Sequence, residues 1–198
     1  MNPVFGREFS GILRSPRALQ ALVATAIAFS ALVLARWPAG GIVDLSGAGS
    51  RGAFLVFAAA LTGGVLLLVP AFPAASIVRE RVQGTLLLLF NSPLSGRAIY
   101  VGKFLGVLAF AGLVLCATLP AAAAVYCMGG VDPWRQIGTL YAILGALVVL
   151  CTAIGLLVSV QASSTDAAVR VTYGAVFAVA FLTLCPHALT RGTSGTMA

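Results

Sequence analysis

Charge is what this chain has least of. Only 9% of its 198 residues are charged, and five of them are acidic. A soluble domain carries about 25% charged residues, so a folded body surrounded by water is excluded. The acids are Glu8, Asp44, Glu80, Asp132 and Asp166, and each falls in a polar segment or at the end of an apolar run. With no carboxylate inside such a run, a proton or ion relay across a membrane lacks its working group. Histidine is scarcer still. His187 stands alone, so a metal cluster or a histidine-based catalytic pair has no second member. Cys116, Cys127, Cys151 and Cys185 lie within or beside apolar runs without Cys-x-x-Cys spacing, and read as small hydrophobes. No catalytic residue, metal site or bound cofactor is expected, and a membrane-embedded enzyme is the weakest reading.

Apolar residues, by contrast, make up 60% of the chain, against about 45–50% in soluble proteins even when glycine is counted. A membrane crossing takes about 20 such residues. Five runs qualify, over residues 18–35, 53–76, 104–128, 137–160 and 167–185. The first is long for a signal-peptide core and follows an extended basic segment, so it reads as a span. The fold class is all-α: a polytopic helical membrane protein with one transmembrane domain over residues 1–185 and a Thr/Gly/Ser-rich, unstructured tail over 186–198.

The segments between the runs are short. Residues 3–15 read as an amphipathic helix, with Asn2 placed to cap it and Pro3 at its first position. Phe5, Phe9, Ile12 and Leu13 fall within about 100° of one another, with Arg7 and Arg14 opposite. A helix of this kind lies along a membrane surface, and Ser15-Pro16 ends it. Residues 36–52 read as a loop and 129–135 as a tight turn. Thr165 or Asp166 is placed to cap the last helix. Pro70, Pro73 and Pro120 predict kinks, and Pro186 the end of the fifth span.

The basic residues set the orientation. With the N-terminus in the cytoplasm, Arg7, Arg14, Arg17, Arg79, Arg81, Arg97, Lys103 and Arg170 lie inside, and Arg36, Arg51, Arg135 and Arg191 outside. This excess favours an N-terminus inside the cell (inner) membrane. The formal charge of +7 therefore reports topology, and no nucleic-acid partner is implied.

The segment over residues 77–97 then faces the cytoplasm. Leu86 to Phe90 is an unbroken apolar stretch, too short to cross a bilayer and bracketed by Arg79-Glu80-Arg81 and Ser92-Pro93. Wound as a helix it is apolar all round, so Leu86, Leu89 and Phe90 require burial on more than one side. Lipid headgroups can supply one face and a groove on a cytoplasmic protein another. Gly84-Thr85 is placed to start the short helix.

These residues resemble a family. Glu80-x-x-x-Gly84-Thr85-Leu86, then Ser92-Pro93-Leu94-Ser95, Arg97 and Gly102-Lys103 look like the cytoplasmic loop of ABC-2-type transporter permeases. The Asn2-Pro3 and Ser15-Pro16-Arg17 segment resembles that family's connecting helix, and Ser163-Ser164-Thr165 leading to Tyr173 is also similar. The resemblance implies a permease subunit without its own ATPase, exporting a substrate at the expense of ATP. ATP and magnesium would sit on a cytoplasmic ATP-binding partner, and a second permease copy would complete the pathway, as a homo- or heterodimer. It implies further that the loop is a coupling helix docked on the ATPase, with Glu80, Gly84, Thr85, Pro93, Arg97, Gly102 and Lys103 as its motif positions, and that motion passes into spans 2 and 3.

The chain departs from the family in two respects. Val82 and Leu87 stand where the pattern has glutamates, which makes the segment more apolar. The family usually has six spans; five are counted here, leaving either a five-span variant or a sequence that stops before a sixth. The alternative function is a non-transporting scaffold or maturation factor that docks a cytoplasmic partner through residues 77–97. Gly96 to Phe104 superficially suggests a phosphate loop, but the glycine spacing is too long and Phe104 replaces the hydroxyl that magnesium requires. Gly102-x-x-x-Gly106 suits close helix packing, within one subunit or between two.

Overall fold

The computed structural model describes residues 3–37, 48–82, 84, 96–128 and 131–193. All regular structure among them is helical. Helix α1 (Pro3–Arg14) is separated from α2 (Pro16–Ala35) by Ser15. That residue is extended, with φ −75° and ψ 128°, and its Oγ accepts the Ala18 amide at 3.2 Å. The residue before a proline is pushed out of the helical region, and the serine uses that conformation to cap the next helix.

Helix α3 (Ala48–Leu68) and α4 (Ala71–Val82) form one bent span, broken at Val69-Pro70. Helices α5 (Gly96–Ala117) and α6 (Leu119–Cys127) form another, broken at Thr118 two residues before Pro120. A π-helical turn (Pro133–Gly138) leads into α7 (Thr139–Gln161), and α8 (Thr165–Thr193) closes the chain. The kinks expected at Pro70 and Pro120 are therefore full interruptions, whereas Pro73 lies within the first turn of α4. A missing amide and a ring that clashes with the preceding turn are enough to end a helix there.

Five helical stretches among the described residues are long and apolar enough to cross a membrane, and they coincide with the five expected runs. Arg51–Val82 and Gly96–Cys127 are each 32 residues long. At about 1.5 Å per residue such a helix measures about 48 Å, against a hydrocarbon core of about 30 Å. Each stretch is thus longer than one crossing requires.

Several boundaries differ from expectation. Helix α3 begins at Ala48, inside the expected 36–52 loop, and α5 begins at Gly96, well before residue 104. Asp132 is the N-cap of the π-helical turn, accepting the Trp134 and Arg135 amides on Oδ1 at 2.9 and 3.0 Å, so the expected turn at 133–135 is already helical. The cap of α8 is Ser164, whose Oγ accepts from the Ala167 amide at 3.3 Å, and neither Thr165 nor Asp166. The capping oxygen must come from the residue before the first helical one. Helix α8 also runs through Pro186 to Thr193, so residues 187–193 are helical, contrary to the unstructured tail expected from 186.

The core is a seam. Phe57, Leu61 and Val65 of α3 recur every fourth residue and are buried against Leu144, Val148 and Cys151 of α7, with Ala111 and Leu115 of α5 and Val125 of α6. The opposite faces are equally apolar but exposed: Leu19, Val23 and Ile27 on α2, and Val171, Phe177 and Phe181 on α8. Those are the surfaces a bilayer covers.

Candidate functional site

The helix ends around residues 83–95 converge. Lys103 lies in the second turn of α5, yet it is only 3% exposed. Its Nζ donates to Glu80 Oε1 in the last turn of α4 at 2.8 Å. A buried ammonium is tolerated when paired and hydrogen-bonded, and this pair ties the two helices where the intervening segment leaves and re-enters. The helical conformation of residues 96–104 excludes a phosphate loop there.

Gly84 has φ +71°, a left-handed conformation, and its amide bonds to the Arg81 carbonyl at 3.2 Å. It therefore terminates α4 as a C-terminal glycine does, a role distinct from the expected one of starting the following helix. Arg97 is exposed in the first turn of α5, and Gly102 and Gly106 are both buried within this chain. Thr85, Leu86, Leu89, Phe90 and Pro93 lie outside the described residues.

The N-terminal helix is not a lone surface element. Helix α1 packs along α5 and also contacts α2. Phe5 and Phe9 stack with centroids 5.7 Å apart, and Arg14 is exposed. The side chain of Arg7 lies outside the described residues.

Sequence reasoning assigned no contact between helices to the groups that join α4 to α7. Gly155 is buried against the Pro73 ring. Ser159 Oγ accepts from the amides of Ile77 and Val78 at 3.1 and 3.3 Å. Arg81 donates from Nη1 to the Ala162 carbonyl at 3.1 Å and from Nη2 to the Val160 carbonyl at 2.8 Å. The available signal was spacing: Pro73, Ile77 and Arg81 are four apart, as are Gly155 and Ser159. Two hydroxyls act similarly elsewhere. Tyr173 donates to the Leu67 carbonyl, and Tyr141 Oη lies 2.7 Å from Thr118 Oγ1.

A cavity of about 30 Å³ lies at the α3–α4 elbow, lined by Ala21, Thr25, Val69, Phe72 and Phe110 among others. The Thr25 hydroxyl is turned to the Ala21 carbonyl at 2.6 Å. This gap is about one water in size and offers no foothold to a polar solute. Among the described residues there is also no cluster of three or more metal-ligating side chains.

The helix ends and their ion pair thus form the framework of a loop. No curated protein matches the chain. A family model described as ABC-2 family transporter protein matches residues 4–190, nearly the whole five-span array and both flanks of the loop whose motif bore the resemblance. The chain belongs to the ABC-2 transporter family and is a permease-type, multi-pass membrane component of transport.

Proposed function

We propose that this chain is the membrane-spanning subunit of an ATP-driven transporter, receiving mechanical work from a separate ATP-binding protein through residues 77–97. The observation that carries this reading is the pair of overlong spans. Each is longer than one crossing requires, and their loop-side ends carry Glu80, Arg81, Arg97 and Lys103 and are joined by the Lys103–Glu80 ion pair at 2.8 Å. A short apolar segment held between two such stems is a docking element with a rigid base. ATP and magnesium belong to the partner, which lies in the cytoplasm with the chain's N-terminus, at the inner membrane. A second permease copy completes the pathway.

Co-purification from native membranes tests the proposal. An ATP-binding subunit with a phosphate loop should accompany the chain. Placing a charge within 86–90 where the family pattern has none, as in Leu88→Glu or Leu89→Glu, should deplete that subunit while membrane insertion persists. Normal association and normal nucleotide-driven behaviour in both variants would remove the coupling role from this loop. Recovery of a different cytoplasmic protein would favour a docking scaffold.

A further inference from the structure

Beyond α3, which precedes it in the chain, helix α4 packs on three helices, most extensively on α7, next on α8 and least on α5. Its packing on α7 is far more extensive than its packing on α5. To α5 it is tied by the Glu80–Lys103 pair. To α7 it is tied along one stripe: Pro73 on Gly155, the Ile77 and Val78 amides on Ser159, and Arg81 on the carbonyls of Val160 and Ala162. Both helices run toward the loop end, so the three contacts follow each other in parallel register over two turns of α4.

The last contact has a particular chemistry. The final carbonyls of a helix have no partner within it, and they carry the negative end of the macrodipole. Arg81 meets both needs, with a positive charge and a two-pronged donor on two carbonyls at once. Val160 and Ala162 lead into Ser163 and Ser164, the turn that starts α8. Arg81 therefore links the stem of the 83–95 segment to the turn between α7 and α8.

We propose that Arg81 is a positioning residue that makes α4 and the α7–α8 turn move as one body, so that displacement of the loop is delivered mainly to spans 4 and 5. The route expected from the family resemblance, into spans 2 and 3, then describes only where the motion enters. This inference rests on the permease reading above.

The test uses the complex of the chain with its co-purified ATPase in nanodiscs, with the four native cysteines replaced by alanine and Ser163→Cys introduced at the exposed turn. The reaction rate of that thiol with a polar maleimide is measured without nucleotide and after trapping with ATP, magnesium and vanadate. With Arg81 intact, the two rates should differ. In Arg81→Ala the difference should be lost while the ATPase still co-purifies. Arg81→Lys keeps the charge but not the two-pronged geometry; it should lose most of the difference, and it serves if the alanine variant does not accumulate. A purely structural role would lower yield or thermal stability without abolishing the nucleotide response. A difference that survives both substitutions in full, or is absent with Arg81 intact, overturns the proposal. So does loss of the ATPase from either Arg81 variant, which would make this a docking residue. If no ATPase accompanies the unsubstituted chain, the permease reading itself fails, and that result is distinct from all the others.

Discussion

Gly155 lies so close to Pro73 that a Cβ on the glycine would stand 2.6 Å from Pro73 Cγ and 3.2 Å from the Ala74 amide nitrogen. The proline sits in the first turn of α4, where its missing amide costs no helical bond, and the glycine lets α7 come up against the ring. Neither residue can be enlarged without moving a helix, because the backbone nitrogen of Ala74 cannot swing aside as a flexible side chain can.

Gly155→Ala should therefore destabilise the protein by about 1–3 kcal/mol through overpacking, seen as a lower thermal unfolding midpoint in detergent. Gly145, also in α7, has nothing within 4 Å of a built Cβ. Gly145→Ala should be neutral or gain up to about 1 kcal/mol from helix propensity. Equal effects at the two positions would show that the close approach does not matter.

Glu80→Gln or Lys103→Met should cost about 3–5 kcal/mol when the remaining charge stays buried. Such losses should appear as poor yield and a lowered unfolding midpoint. The exchange Glu80→Lys with Lys103→Glu should recover part of the loss, since it restores opposite charges across the same gap. No recovery would mean that the surroundings, and not the pair alone, fix the polarity.

Tyr141→Phe and Thr118→Val should not be equivalent. Thr118 Oγ1 donates to the Leu115 carbonyl at 2.7 Å, so it keeps a partner when the tyrosine hydroxyl goes, and the cost should be about 0.5–1.5 kcal/mol. Thr118→Val removes both bonds at the α5–α6 break and should cost more. Paired thermal unfolding curves of the two variants make the comparison.

Asp132→Ala removes the cap of the π-helical turn and should cost about 1 kcal/mol, with Asp132→Asn much milder. Hydrogen exchange localises the effect: the amides of Trp134 and Arg135, which bond to Oδ1, should lose protection first.

The number of spans and their order were legible because an apolar run as long as a bilayer has few other uses. The loop motif was legible because glycine, proline and paired charges stand out against an aliphatic background. The helix contacts were not. In a membrane the lipid-facing side chains are as apolar as the buried ones, so the sequence of α7 does not distinguish Leu144, which is fully buried, from Ile143, which is 61% exposed. Lys103 misleads in the other direction: a cation read as part of an exposed loop lies within a helix, matched to a carboxylate 23 positions away. The first helical residue of α3 and the persistence of α8 past Pro186 were hidden because glycine and proline mark a helix boundary only as a tendency.

The threonines of the spans imply an order of assembly. Thr25, Thr62, Thr152 and Thr172 each donate to the carbonyl four residues earlier in their own helix. A hydroxyl satisfied in this way needs no second helix, so each of those segments can enter the bilayer singly with its polar groups already paired. Glu80 with Lys103, Ser159 with α4, and Arg81 with the end of α7 make bonds between segments far apart in the chain. Biogenesis then divides into an early stage, in which helices partition one by one, and a later one, in which the loop end is sealed by the few polar groups that had to wait for a neighbour.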